Sequence, residues 1–323
     1  MEILTANQAA IAKAAEILAE GGIVAMPTET VYGLAANAKD GKAVARVFEA
    51  KGRPQFNPLI VHVADLETAE ALAEFNDAAR KLAAAFWPGP LTLVLPRREN
   101  SGISDLVTAG LPSVAIRVPG HPVARALLEL SGLPLAAPSA NRSGHVSPTT
   151  ADHVAEDLAE SVDLILDAGP CPVGIESTVL AFCEDENEPP VLLRPGSITP
   201  DNIEIATAIA PVAIGQVSND HAPSAPGQLS SHYAPKARLR LNVDNPEPGE
   251  ALLAFGSDLP PSSGPVINLS ERGDLIEAAA NLFSALRELD SAGCASIAAM
   301  SIPWTGIGGA INDRLLRAAA PKR

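Results

Sequence analysis

Three short stretches of this chain concentrate the residue types that bind charged, polar small molecules. The first, Pro27-Thr28-Glu29-Thr30-Val31-Tyr32-Gly33-Leu34, offers two threonine hydroxyls and a carboxylate. It follows the apolar run at residues 23–26 directly, where open α/β sheets place their ligand crevice. Taken alone, it also reads as a turn whose Thr and Glu cap the next helix. The second, Lys51-Gly52-Arg53-Pro54, is followed by Asn57-Pro58-Leu59 and His62. Two cations around a glycine suit phosphates, arginine as a planar fork and lysine as a mobile point charge. A helix end stopped by Gly52 and decorated with cations accounts for Lys51 alone, and poorly for Arg53, Asn57 and His62. The third, Ala137-Pro138-Ser139-Ala140-Asn141-Arg142-Ser143-Gly144, puts small hydroxyl and amide side chains in a loop where backbone can approach a nucleotide closely.

Gly174-Ile175-Glu176-Ser177-Thr178-Val179 and Leu193-Arg194-Pro195-Gly196 border predicted strands, and each alone reads as ordinary structure. Standard nucleotide signatures fail: there is no GxxxxGK[ST] phosphate loop and no strong GxGxxG fingerprint. G-x-S-x-G is absent too, so Ser139 is not read as a nucleophile on an elbow. Cys171, Cys183 and Cys294 are far apart, form no CxxC pair and are odd in number, which argues against a disulfide framework or a zinc site.

The elements that must position these stretches alternate between strand and helix, which argues α/β. Asn7 predicts a helix N-cap, with Ile11, Ala14, Ala15 and Leu18 on one face and Gly21-Gly22 as the stop. Strands are expected at 23–26, 59–63, 91–95, 114–118, 164–167, 178–182 and 191–194, with helices at 42–50, 66–75, 78–86, 121–130 and 151–159. Residues 211–235 turn rich in Pro, Ser, Gly, Asn and Gln and read as a linker. A second, smaller α/β unit follows, with strands at 238–243, 252–255, 266–269 and 295–302 and helices at 274–289 and 310–319.

Composition excludes several classes. The 323 residues favour two domains, and 47% hydrophobic against 19% charged suits a globular chain. No apolar run approaches the ~20 residues of a membrane span. The N-terminus lacks a signal-peptide core, so a cytoplasmic protein is expected. Net charge is -15, and the first 200 residues hold 14 Lys and Arg against 25 Asp and Glu. Such a surface repels nucleic acid at long range, so basic residues within motifs look placed for a purpose.

Taken in order, PTETVYGL, KGRP with NPL and His62, SVAIRVP, PSANRSG, ESTV and LRPG resemble the YrdC-type threonylcarbamoyl-AMP synthases. Ala225-Pro226-Gly227-Gln228-Leu229-Ser230-Ser231-His232-Tyr233-Ala234-Pro235 resembles the linker of the two-domain form, and Gly306-Ile307-Gly308-Gly309-Ala310-Ile311-Asn312-Asp313-Arg314-Leu315 its C-terminal signature. One departure lies at Gln228-Leu229-Ser230-Ser231, where the family often carries basic or aromatic residues. The resemblance implies an open, twisted mixed sheet with flanking helices at 1–205, a linker or lid at 206–235, and a Rossmann-like α/β domain at 236–323. It implies catalytic roles for Lys51, Arg53, Ser139 and Asn141. Threonine-binding positions fall on Thr30, His62, Arg117, Ala137 and Ser177. ATP-binding positions fall on Arg53, Asn57, Ser113, Ser139, Ser147 and Arg194, with His232 and Tyr233 folding over the nucleotide.

The implied reaction condenses L-threonine, bicarbonate or CO2, and ATP into threonylcarbamoyl-AMP and pyrophosphate. The product serves threonylcarbamoyl modification of the adenosine beside the tRNA anticodon. ATP enters as a substrate, with Mg²⁺ bound through its phosphates and no metal site in the protein. The product would pass transiently to a threonylcarbamoyl transferase complex, with tRNA contact weak or indirect and no membrane involved. Two alternatives remain. A hydrogenase-maturation factor that adenylates carbamate would normally add cysteine clusters and an acylphosphatase-like module, and this chain has neither. A plain RNA-binding module conflicts with the net charge.

Overall fold

The computed structural model describes residues 2–54, 56–158, 160–182, 188–213 and 232–321. The chain begins β1 (Glu2–Thr5), α1 (Gln8–Ala19), β2 (Val24–Met26), β3 (Gly33–Asn37), α2 (Gly41–Lys51) and β4 (Ile60–His62). It continues with α3 (Leu66–Leu72), α4 (Asp77–Phe86), β5 (Leu91–Pro96), α5 (Asp105–Thr108), β6 (Ser113–Arg117), α6 (Pro122–Ser131) and β7 (Leu135–Ala136). Then come α7 (Ala151–Leu158), β8 (Leu164–Asp167), β9 (Thr178–Ala181), β10 (Val191–Arg194), α8 (Pro200–Thr207) and β11 (Val212–Ala213). After residue 232 follow β12 (Arg238–Arg240), β13 (Ala251–Ala254), β14 (Val266–Asn268), α9 (Leu275–Ser291), β15 (Ser296–Ala299) and α10 (Gly308–Ala319).

The first eleven strands form one sheet in the order β1-β8-β2-β3-β7-β4-β6-β5-β9-β10-β11. Its pairings are mixed: β4 runs parallel to β6 and β5 parallel to β9, whereas β2–β3, β4–β7 and β5–β6 are antiparallel. The last four form a parallel sheet, β12-β15-β13-β14, as expected for the Rossmann-like unit.

Helix ends follow local chemistry. Asn7 Oδ1 accepts from the Ala10 amide at 3.0 Å, and Gly52, at φ 58°, ends α2 in the left-handed conformation that only glycine adopts without strain.

One face of the large sheet is closed by a core that joins Val61, Leu93 and Ile116 to Val44, Val47 and Phe48 of α2 and Leu82 of α4. On the opposite face, α1 and α6 cover only the half nearer β1, through Leu18, Leu127 and Leu128. Over β4, β6, β5, β9 and β10 that face carries a small cluster of Ile60, Ala115, Val94, Val179 and Leu193, which among the described residues includes no helix. The sheet thus leaves a concave face beside the edge of α1 and α6.

The second core does not belong to the C-terminal unit alone. Val31, Val146 and Ile175 of the first unit are buried in it with Phe283, Leu286 and Leu315. Val31 and Val146 each lie one residue from a candidate site residue, Thr30 and Ser147, and Ile175 lies two residues from a third, Ser177.

Several elements differ from expectation. Gly33–Asn37 is a buried strand antiparallel to β2, although its Gly-Leu-Ala-Ala-Asn sequence lacks the β-branched pattern of a strand. Helix α8 and strand β11 extend the first unit to residue 213, because Val191 of β10 pairs with Val212. A linker beginning at 206 is therefore corrected in its first part. Residues 214–231, including Gln228-Leu229-Ser230-Ser231, lie outside the described residues, as does Cys183.

The junction of the units makes a steric demand. Gly174 has φ 72°, and a Cβ there would lie 2.5 Å from backbone atoms of Ala280 in α9. Gly249 has φ 84° with open space around it. A left-handed alanine costs roughly 1–2 kcal/mol at either site, and forced overpacking adds about 1–3 kcal/mol at Gly174 alone. Urea denaturation should show Gly174→Ala clearly less stable than Gly249→Ala. Equal losses would mean that the close approach is not a constraint.

Candidate functional site

Strand register builds the floor. His62 and Arg117 are partners across β4 and β6, and Ile60 pairs with Ala115 two residues back. Alternation then points Val61 and Ile116 into the helical core and leaves Ile60, His62, Ala115 and Arg117 on the concave face. The turn after β2 folds over this floor. Thr28 Oγ1 accepts from the amides of Thr30 and Val31 at 3.1 and 3.2 Å, which pins the turn. Arg117 then ties floor to turn: Nη1 donates to Thr30 Oγ1 at 2.9 Å, Nη2 to Glu29 Oε1 at 2.5 Å, and Nε to the Gly89 carbonyl at 3.1 Å. Burial pushes the Glu29 carboxyl up, but the Arg117 charge and hydrogen bond outweigh it and hold the group below its ordinary value. Burial, reinforced by Arg117, pushes His62 down to about 3, so its ring is neutral at pH 7.

The second wall is the loop after β7. Lys51, the last residue of α2, turns inward rather than decorating the helix end: its Nζ donates to the Ser139 and Asn141 carbonyls. Asn141 Nδ2 closes the same loop on the Arg142 and His145 carbonyls, both at 2.8 Å. Burial, with Arg53 nearby, lowers the Lys51 ammonium well below its ordinary value. Arg53 is buried and donates to the Asn57 and Pro58 carbonyls at 3.3 and 3.0 Å. Burial lowers it to about 10, still charged at neutral pH.

The third wall comes from β9, β10 and the C-terminal unit. Arg194 donates to the Ser177 carbonyl and hydroxyl at 3.0 and 3.1 Å, and Ser177 also shares a hydrogen bond of 2.7 Å with Thr92. Ser147 donates to Glu176 Oε1 at 2.5 Å, and the other carboxylate oxygen accepts from Arg314 of α10 at 2.8 Å. His232 and Tyr233 meet edge to face with centroids 4.1 Å apart, and Tyr233 stacks on Phe283 of α9. The segment is held by the Ala234 amide, which donates to the Gly144 carbonyl at 2.9 Å.

These walls enclose a pocket of about 550 Å³, counting its open mouth. It is lined by Thr30, Arg53, His62, Arg117, Ala137, Ser139, Ser177, Arg194, His232 and Tyr233, ten of the residues expected from sequence. Lys51 and Asn141 meet each other but stand behind the loop that carries Ser139, and Ser147 touches the pocket through Glu176. Asn57 is packed under Arg53, and Ser113 starts β6 on the Ala115 side, outside the lining. Thr28, Glu29 and Glu176 were visible within motifs but not singled out, and Arg314 gave no signal beyond its place in the C-terminal signature. Buried polar atoms without a hydrogen-bond partner gather here: Glu29 Oε2, His62 Nδ1, both side-chain atoms of Asn57, His232 Nδ1 and Tyr233 Oη. Such atoms each cost about 1–3 kcal/mol unless something completes them. Their concentration around three guanidinium groups suits an anionic, hydrogen-bonding ligand.

Residues 16–196 match the family model described as "Telomere recombination" (Sua5, YciO and YrdC), and residues 198–320 match "Threonylcarbamoyl-AMP synthase, C-terminal domain". The chain is 44% identical to the threonylcarbamoyl-AMP synthase of Bacillus subtilis, over 98% of this chain and 94% of that protein. It is 45% identical to the threonylcarbamoyl-AMP synthase of Pyrococcus abyssi, over 95% and 93%. The crystal structure of P. abyssi Sua5 complexed with L-threonine superposes with a TM-score of 0.89 at 41% identity, covering 98% of this chain and 96% of that one.

The sealed state of His62 has a measurable consequence. Unfolding frees its ring to titrate near 6.5, whereas the folded value is about 3. Between those pH values the unfolded chain binds a proton that the folded chain does not, so stability falls as pH falls. This residue contributes up to about 1.4 kcal/mol per pH unit. The urea midpoint of His62→Gln should therefore decline less steeply than that of the wild type from pH 6.5 to 4.5. Parallel curves would contradict a neutral, sealed histidine.

Proposed function

Because this chain belongs to the threonylcarbamoyl-AMP synthase family along both of its parts, we propose that the pocket joins L-threonine, bicarbonate and ATP as threonylcarbamoyl-AMP. The observation that carries this reading is the convergence of Arg53, Arg117 and Arg194 with unpartnered polar atoms in one buried pocket. The reaction brings anions together. Threonine's amine captures CO2 as a carbamate with loss of a proton, or bicarbonate with loss of water, and a carbamate oxygen then attacks the α-phosphorus of ATP as pyrophosphate leaves. Fixed cations lower that barrier, and no enzyme nucleophile is needed.

Two ends of the pocket would divide the labour. Thr30, His62, Arg117, Ala137 and Ser177 form the end suited to threonine: Arg117 Nη1, already on Thr30, faces a carboxylate, and neutral His62 with its unpartnered Nδ1 faces a hydroxyl or amine. Arg53, Ser139, Arg194, His232 and Tyr233 form the end suited to phosphates. Lys51 and Asn141 act from behind by fixing the Ser139 loop. Ser113 would meet the nucleoside farther along the concave face. Mg²⁺ would enter on the phosphates and offset their charge. None of the described helices is long and apolar enough to cross a membrane. A cytoplasmic enzyme handing its labile product to a threonylcarbamoyl transferase complex, with little tRNA contact of its own, fits the acidic surface.

The direct test is threonine-dependent formation of the adenylate from ATP and bicarbonate by the purified chain, with Arg53→Ala as control. That variant should fold and lose roughly 10²–10³ in rate. Threonine-independent turnover, or full activity in the variant, would refute the assignment.

Asn57 gives a sharper check. Its buried amide has no partner in the free protein, so Asn57→Leu should leave the apoprotein as stable as wild type or about 1 kcal/mol more stable. ATP affinity should meanwhile fall at least about tenfold. A variant both destabilised and normal in ATP binding would remove Asn57 from the site.

A further inference from the structure

Arg314 heads the largest fully buried side chains, on a helix of the C-terminal unit and outside the reacting centre. Its guanidinium has four neighbours. Nε donates to Glu176 Oε2 at 2.8 Å, Nη1 to Asp313 Oδ2 at 2.7 Å, and Nη2 to the Glu176 carbonyl at 3.5 Å, while the ring of Tyr233 lies 5.3 Å from its central carbon. Phe283 stacks with the same tyrosine ring, centroids 5.6 Å apart. Glu176 and Tyr233 both line the pocket, and the Glu176 oxygen that Arg314 leaves open accepts from Ser147.

A buried carboxylate in the wall of a pocket meant for a polyphosphate is a liability, since an unbalanced negative charge there repels the ligand. A purely architectural role would be served as well or better by apolar side chains of similar volume. We infer that Arg314 is a positioning residue of the active site: it cancels the charge of Glu176 and holds Glu176, Ser147 and Tyr233 as the nucleotide meets them. Arginine suits the task better than lysine, because one planar group must bridge two carboxylates and stack on an aromatic ring. The C-terminal unit thereby supplies part of the nucleotide site, in addition to burying Val31, Val146 and Ile175 beside Thr30, Ser147 and Glu176.

This role rests on the reading of the pocket as an ATP site, and the experiment separates the two. ATP and L-threonine affinities are measured by calorimetry for the full-length wild type, Arg314→Met and the double variant Glu176→Gln with Arg314→Met. In Arg314→Met, ATP should bind at least about tenfold more weakly, with L-threonine within about threefold of wild type. The double variant, which deletes both charges, should recover most of the loss, a coupling that a merely structural role would not give. Wild type that binds no ATP would overturn the pocket reading, and the role of Arg314 with it. Wild type that binds ATP, with Arg314→Met within about threefold or the double variant no better than the single one, would overturn the role of Arg314 alone. If Arg314→Met does not fold, Glu176→Gln in the otherwise intact chain decides. ATP affinity held within about threefold or improved supports charge cancellation, and a tenfold loss overturns it by showing that the carboxylate itself serves the nucleotide.

Discussion

Four arginines, Arg53, Arg117, Arg194 and Arg314, are each exposed by 8% or less, and the structure is organised around keeping them charged out of water. An isolated buried cation would cost several kcal/mol, so each must be answered by acceptors in fixed places. Arg117 is answered by Glu29, Thr30 and the Gly89 carbonyl, and Arg314 by Glu176 and Asp313. Arg53 is answered by two carbonyls, and no salt bridge joins it to a carboxylate among the described residues. Net positive charge therefore gathers at the end of the pocket proposed to take phosphates. The sheet register and the Thr28 turn hold the answers to Arg117 in place.

That constraint explains why the two units share one core. A single sheet with helices on one face and on half of the other leaves a concavity with one side open. Tyr233, just before the C-terminal unit and braced by its Phe283 and Arg314, closes it, while three apolar residues of the first unit anchor in the interior of the C-terminal unit. Packed cores deform little, so a shift of α9 or α10 would move the Thr30, Ser147 and Glu176 loops together.

Much of this was legible in the sequence. The stretch directly after β2 lies at the pocket, where α/β sheets place ligands, and ten of the residues that the family resemblance implied line it. The helices were readable from Asn7 and Gly52, whose caps follow from local chemistry. Strand β3 was hidden because a strand buried on both faces and rich in glycine and alanine carries no alternation. The residues around Lys51 allowed a cation on a helix end, and the resemblance implied a catalytic role; the side chain turns inward onto the Ser139 and Asn141 carbonyls, a direction that no local pattern tells. The partnership of Glu176 with Arg314 spans 138 positions and two units, and depends on a packing that no motif encodes.

In the proposed reaction one pocket, walled by both units, holds L-threonine and ATP with their anionic groups on the buried arginines. A crystal structure of the chain with L-threonine and a non-hydrolysable ATP analogue tests it most directly. The account predicts the threonine carboxylate at Arg117 and Thr30, and the phosphates between Arg53, Ser139 and Arg194 beneath Tyr233. Phosphates bound elsewhere, with Arg53 and Arg194 untouched, would contradict it.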